Sequence, residues 1–153
     1  MNTNSNNNQE TNKSPISISV TVETHINAPI EKVWASWTEP SQITKWCFAS
    51  NDWEAPHAEN DLRTGGKFKT VMAAKNGSNS FDFEGLYTNV KTFELIEYKM
   101  SDDRHVKIEF TKLPDGIKVT ETFDIENVNS KDMQQAGWQA ILDNFKKYTE
   151  SNN

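Results

Sequence analysis

Apolar and polar residues follow two different periods along this chain, and the places where the period changes mark its elements. Ile16, Ile18, Val20 and Val22 alternate with Ser17, Ser19, Thr21 and Glu23, the period of two of a half-buried strand. Asn27 and Pro29 then signal a helix start. Ile30, Val33, Trp34 and Trp37 follow at helical spacing until Thr38-Glu39-Pro40 interrupts them. A second short helix is predicted to carry Ile43, Trp46 and Cys47 on one face.

From about Asp52 the pattern is that of strands. Gly65-Gly66 reads as a turn, and Phe68, Thr70 and Met72 alternate after it. Asn76-Gly77 is the strongest hairpin signal in the chain and predicts a two-residue turn with Gly77 at positive φ. Phe81, Phe83, Gly85 and Tyr87 form the next alternating face, followed by a strand around Glu94–Met100 and by Val106, Ile108 and Phe110. Asp115-Gly116 marks a tight turn into a last strand with Ile117, Val119, Phe123 and Ile125 on one face.

Asn129 or Ser130 can cap a final long helix, with Asp132 well placed in its first turn. Its expected apolar stripe is Met133, Gly137, Ala140, Ile141 and Phe145, widened by Ala136 and Trp138. The order of elements predicts an α+β helix-grip fold. In it, a curved antiparallel sheet of about six or seven strands wraps around the C-terminal helix, and two short helices follow the first strand. The terminal helix is the only element long enough to cover the inner face of the sheet. Small Gly137 and Ala140 on that helix leave room where bulky residues would fill it, which points to a cavity. Residues 15–150 make one domain with no internal repeat. Residues 1–14 (MNTNSNNNQETNKS) are almost wholly polar and are expected to be a disordered tail, as are residues 151–153.

Composition narrows the function classes. A net charge of −6, with the basic residues dispersed, disfavours nucleic acid and anionic membranes. No apolar run is long enough for a membrane span and no secretory signal opens the chain. A single cysteine, Cys47, allows no internal disulfide, so a reducing, cytoplasmic setting is expected.

Several stretches resemble the START-like (SRPBCC) superfamily: NAPIEKVWASWTEPSQITKW (27–46), DLRTGGKF (61–68), FEGLYTNV (83–90) and GWQAILDNFKKY (137–148). Within it the chain looks most like bacterial single-domain relatives of the activator of heat-shock protein 90 ATPase. The resemblance runs from Ile18 to Glu150 and rests on turns, caps and core aromatics, so it implies a fold and a sheet-to-helix cavity rather than a reaction. Superfamily members bind lipids, polyketides, hormones or other apolar ligands, and some are cyclases or hydroxylases. The eukaryotic activator carries a further N-terminal domain with major chaperone contacts, for which this chain is not expected to have room.

The candidate site follows from the same residues. Trp46, Phe48 and Trp53 can form a cavity mouth for an apolar or aromatic ligand, or pack as core. Phe68, Met72, Phe81, Phe83 and Tyr87 offer the same choice, with Gly137 and Ile141 opposite. Glu121 shares the apolar face of Ile117, Val119, Phe123 and Ile125, so alternation points a carboxylate inward. An ion pair, or a bulge that turns it out, is the commoner solution, and a polar anchor for ligand is the other. Arg63 is expected to bridge to Asp61 and fix the loop before Gly65-Gly66, or else to clamp a ligand carboxylate. His25 and His105 read as solvated. His57, Glu59 and Asp61 alternate but lack a second His or Cys for a metal, and a Cys47–His57 nucleophile and base lack a third orienting group. No cofactor, metal or catalytic residue is therefore assigned. The favoured function is binding of a small apolar or aromatic molecule. A cyclase- or hydrolase-like enzyme and a chaperone-associated interaction module are the alternatives.

Overall fold

The alternation near the start of the chain becomes strand β1 (Ser19–Ile26), whose Val20, Val22 and Ile26 are buried while Ser19, Thr21 and Glu23 face solvent. The computed structural model describes residues 18–151. Ile16 and the expected N-terminal tail therefore lie outside the described residues, and Ile18 is 54% exposed, so the buried phase begins at Val20. Two short helices follow, α1 (Ile30–Thr38) and α2 (Pro40–Ile43). Ile30, Val33 and Trp34 are buried on α1, and Ile43, Trp46 and Cys47 are buried on α2 and the turn after it. Six strands come next: β2 (Trp53–Asn60), β3 (Lys67–Ala74), β4 (Ser80–Lys91), β5 (Leu95–Met100), β6 (His105–Leu113) and β7 (Gly116–Asp124). The chain closes on α3 (Lys131–Ser151), which takes Ser151 into the helix where a disordered end is expected from the sequence.

The seven strands form one antiparallel sheet in the order β1-β7-β6-β5-β4-β3-β2, curled into a half-barrel. Consecutive strands from β2 to β7 pair as hairpins, and β1 is added beside β7 with Val22 opposite Glu121. The sheet thus has two edges, β1 and β2, and the register shifts only at Glu54/His57 and Tyr87/Asn89.

Helix α3 covers one edge. Gln139 Nε2 donates to the carbonyl of Glu23 at 3.2 Å, Lys146 Nζ to that of His25, and Gln135 Nε2 to that of Thr21 at 3.5 Å. These are alternate carbonyls of an edge strand, groups that otherwise invite another chain to pair. Glu150 accepts the Asn27 N–H at 2.8 Å, tying the end of α3 to the junction of β1 and α1. The helix also stacks on the sheet through Trp138 and Phe123, with ring centroids 4.1 Å apart and planes 7° from parallel.

Two expectations about local structure need correction. The N-terminus of α3 is capped by Ser130, whose Oγ accepts the Met133 N–H at 3.1 Å, but the buried stripe is rotated from the expected one. Met133 is 64% exposed and Ala136 is exposed, while Gln134, Leu142, Phe145 and Thr149 are buried and Trp138 and Ile141 lie beside them. Polar Gln134 and Thr149 hide this phase from a reading of apolar positions. Asn76-Gly77 also does not make a two-residue turn. Ala74 N–H pairs with Asn79 O at 2.8 Å, so four residues (75–78) form the loop, and Asn76 Oδ1 accepts the Ser78 N–H at 2.9 Å. An Asx interaction of this kind stabilises the wider turn.

Gly77 does take the expected positive φ, +80°, with nothing within 4 Å of where a Cβ would lie. Its requirement is therefore backbone conformation alone. Gly77→Ala should lower stability by about 1 kcal/mol in denaturant unfolding. An unchanged midpoint would show that the loop relaxes to negative φ.

A cavity between the sheet and the terminal helix

Between the inner face of the sheet and α3 lies a cavity of about 510 Å³. Its strand wall consists of Phe68, Thr70 and Met72 on β3, Phe81, Phe83 and Tyr87 on β4, Ile96, Tyr98 and Met100 on β5, and Glu121 on β7. Alternation puts them there, because each strand contributes every second residue to the inner face. The helix wall is Gln134, Gly137, Trp138 and Ile141, and the third side is built by Trp37, Ile43, Trp46, Cys47 and Trp53. The sequence-expected residues thus converge, apart from Phe48, which packs against the core and is not part of the lining. Ala140 is likewise not on the wall, so Gly137 alone supplies the gap on the helix, where an added Cβ meets nothing within 4 Å.

The lining aromatics hold one another. Phe68 and Tyr98 meet edge to face with centroids 4.7 Å apart, although β4 lies between their strands. Gly85 on β4 permits this crossing: a Cβ there would sit 2.7 Å from Phe68 Cε2 and 3.0 Å from Tyr98 Cδ1. Trp46 serves both core and cavity, packing on Trp37 and Phe145 while its Nε1–H donates to Ser36 O at 2.9 Å. Trp53 leans on half-exposed Phe81 at 5.9 Å, so these two rings lie toward solvent. The Tyr87 hydroxyl donates to Asn60 Oδ1 at 2.5 Å, and Asn60 Nδ2 donates to Thr38 O at 2.7 Å, linking β4, β2 and α1. Gln134, not anticipated from the sequence, accepts the Glu126 N–H at 2.9 Å and donates to Asn129 O at 2.8 Å, closing the loop between β7 and α3.

Glu121 is the carboxylate on the strand wall. It is 6% exposed on the cavity wall, and among the described residues its carboxylate has neither a hydrogen bond nor an ion pair. Pairing on both sides of β7 is continuous, so no bulge turns it outward. The commoner sequence-level solutions, pairing or bulging, are both absent, and burial pushes its carboxyl up to about 8. Burial, with a smaller contribution from Glu121, pushes the Cys47 thiol up to about 12, and Tyr98 is raised well above the usual phenol value by burial and by Glu121. A thiol so protonated is a poor nucleophile.

The remaining sequence candidates sit elsewhere. Arg63 bridges to Asp61 at 3.0 Å on the exposed loop, and exposed His57 pairs with Glu59 at 2.8 Å. His25 contacts Asp115 at 3.1 Å. Among the described residues no three His, Cys, Asp or Glu side chains are grouped to hold a metal, and no helix is long and apolar enough to cross a membrane.

Two measurements check the electrostatics. The folded carboxyl of Glu121 binds its proton more tightly than the ordinary value of 4.5, so between about 4.5 and about 8 the folded state holds more protons than the unfolded one. Stability on this account falls as pH rises through that window, by up to about 1.4 kcal/mol per pH unit. Glu121→Gln should remove this slope and gain on wild type as pH rises; a constant difference from pH 5 to pH 8 would show that the carboxyl titrates normally. Native Cys47 should resist iodoacetamide at pH 8, and rapid alkylation would show an activated thiolate.

Residues 27–150 match the family described as Activator of Hsp90 ATPase homolog 1-like protein. No curated protein matches the chain. Among solved structures, an AHSA1-like protein from Aeromonas hydrophila is 44% identical, over 88% of this chain and 94% of that one, with a TM-score of 0.84. A protein from Cytophaga hutchinsonii is 54% identical, over 88% and 93% of the two chains, with a TM-score of 0.76. A Nitrosomonas europaea protein at 19% identity and TM-score 0.75 shares the fold. The resemblance expected from the motifs thus holds, and the chain belongs to the Activator of Hsp90 ATPase homolog 1-like family, with the START-like fold.

Proposed function

We propose that this protein binds a small apolar or aromatic molecule in the cavity between the sheet and α3. The observation that carries the reading is that a chain of this size leaves about 510 Å³ open, within the usual range of small-molecule sites, and lines it mainly with aromatic and aliphatic side chains, with a few polar ones among them. A solid core of the same residues would gain dispersion contacts that this arrangement forgoes. Family membership supports a ligand-binding fold without naming a ligand. An interaction module would have a filled interior instead, so the cavity favours binding of a small molecule over that alternative.

The test uses N-phenyl-1-naphthylamine, whose fluorescence rises in apolar surroundings. Wild-type protein should bind it saturably and unfold at higher temperature with it bound. Gly137→Leu should stay folded, with unchanged or raised stability, because the glycine disfavours the helix by about 1 kcal/mol and a side chain there enters empty space. That variant should lose the probe. Absence of binding to wild type would sink the cavity reading, and undiminished binding by Gly137→Leu would move the site away from α3.

A further inference from the structure

Glu121 and Tyr98 share the inner face of the sheet two strands apart. Glu121 lies opposite Ile108, Ile108 opposite Ile96, and Tyr98 follows two residues along β5 on the same face. Both are at least nine-tenths buried, both line the cavity, and among the described residues neither side chain has a hydrogen-bond partner. Tyr87 differs, because its hydroxyl is committed to Asn60. Among the described residues no ion pair joins a cation to Glu121, and Arg104, on the same lining, is bound to Asp102 at 2.8 Å.

A carboxyl group in such surroundings is neutral at pH 7 and carries a proton to donate, as does the phenol. A protonated carboxylic acid and a tyrosine in an apolar site are a known pairing for holding one carbonyl oxygen, which has two lone pairs to receive them. An ammonium ligand instead requires Glu121 to ionise inside an apolar wall, at the cost of desolvating both charges. Resting on the cavity reading above, we infer that the ligand is a neutral aromatic or alicyclic molecule bearing a ketone-type carbonyl, whose oxygen accepts hydrogen bonds from Glu121 and Tyr98 while its rings lie among Phe68, Phe83 and Trp138.

Other groups around Glu121 do not compete in the relevant pH range. Cys47, from the segment after α2, and Tyr87, on β4, keep their protons, both being pushed up by burial. Glu126, in the loop after β7, is held low by the N–H groups and side chain of Asn129 and by the Val128 N–H, and it stays ionised. From α3 come only neutral Gln134, Trp138 and Ile141, and from β1 and β6 the apolar Val22 and Ile108. Glu121 is therefore the group that changes charge near pH 8, and on doing so it becomes an acceptor only.

Three probes of one shape test this: 2-acetylnaphthalene, 2-ethylnaphthalene and 1-(2-naphthyl)ethylamine, measured by calorimetry at pH 6.5. The ketone should bind about tenfold more tightly than the hydrocarbon, the ratio two modest hydrogen bonds would give. Tyr98→Phe and Glu121→Leu should each cut that ratio severalfold without weakening 2-ethylnaphthalene, whose binding reports an intact cavity. Glu121→Gln, which keeps a donor, should retain most of the ratio. For wild type the ratio should fall as pH rises through about 8, and for Glu121→Gln it should not. Equal affinity for ketone and hydrocarbon would overturn the carbonyl assignment and leave the apolar cavity standing. Tightest binding of the amine, lost in Glu121→Gln, would overturn it in favour of a carboxylate counter-ion. A ketone preference untouched by all three substitutions would exclude these two residues as its source. Failure of all three probes, together with N-phenyl-1-naphthylamine, would overturn the cavity reading itself.

Discussion

The seating of α3 on the edge strand β1 decides most of what else the molecule can do. Side chains of Gln135, Gln139 and Lys146 receive the carbonyls of Thr21, Glu23 and His25, so the helix is held at the side of the curled sheet where β1 and β7 lie. The Phe123–Trp138 stack fixes the helix on that side from beneath. A rigid cylinder fastened to one side of a half-barrel cannot also fill the opposite side. The inner faces of β3, β4 and β5 are left without a helical partner at full contact, and the cavity is that remainder. Edge protection and cavity formation are thus two consequences of one placement.

What remains open is kept open by side chains that brace one another. Phe68 reaches over Gly85 to Tyr98, and Phe83 touches both Tyr98 and Trp138 edge to face. Aromatic rings suit this duty because they fill area with few rotatable bonds and prefer tilted contacts, so a ring wall resists collapse better than a wall of methionines or leucines. The polar links at the margins have a similar role. Tyr87–Asn60–Thr38 ties β4 through β2 to α1, and Asn144 on α3 donates to the Trp46 carbonyl at 2.8 Å. Each connects a different wall of the cavity to its neighbour.

Strands are most legible in the sequence where one face is buried, and period-two alternation of burial runs through β1, β3, β5, β6 and β7, whereas β2 and β4 each bury a single residue. Ten of the eleven residues singled out from the sequence for a ligand site lie on the cavity lining, since the strand residues that line the cavity are drawn from the inward positions of the half-barrel. Three features were hidden for separable reasons. The phase of α3 was misread because Gln134 and Thr149, polar by type, are buried. The turn at Asn76-Gly77 was misread because the dipeptide permits a positive φ without fixing loop length, which the β3–β4 register sets. The Phe68–Tyr98 contact across Gly85 is long-range, and no spacing along the chain encodes it.

Glu121 belongs to a fourth kind, legible in position and misjudged in environment. The other buried polar side chains with assigned hydrogen bonds do structural tasks: Ser36 joins Gln42, and Gln134 closes the loop into α3. Glu121 closes no loop and pairs with nothing among the described residues, and its neighbours across the sheet are Val22 and Ile108. A leucine at this position would extend the apolar face and remove a desolvation cost that grows as the pH rises towards about 8. Folding alone therefore gives no reason for a carboxyl group here. Places where local consistency fails without a structural return are where function is to be sought, and this one opens into the cavity rather than into packed core. On the proposed binding role, the geometry that makes Glu121 costly to the empty protein would make it useful to an occupied one, because an unspent donor inside a largely apolar wall would distinguish a ligand with one well-placed oxygen from a plain hydrocarbon.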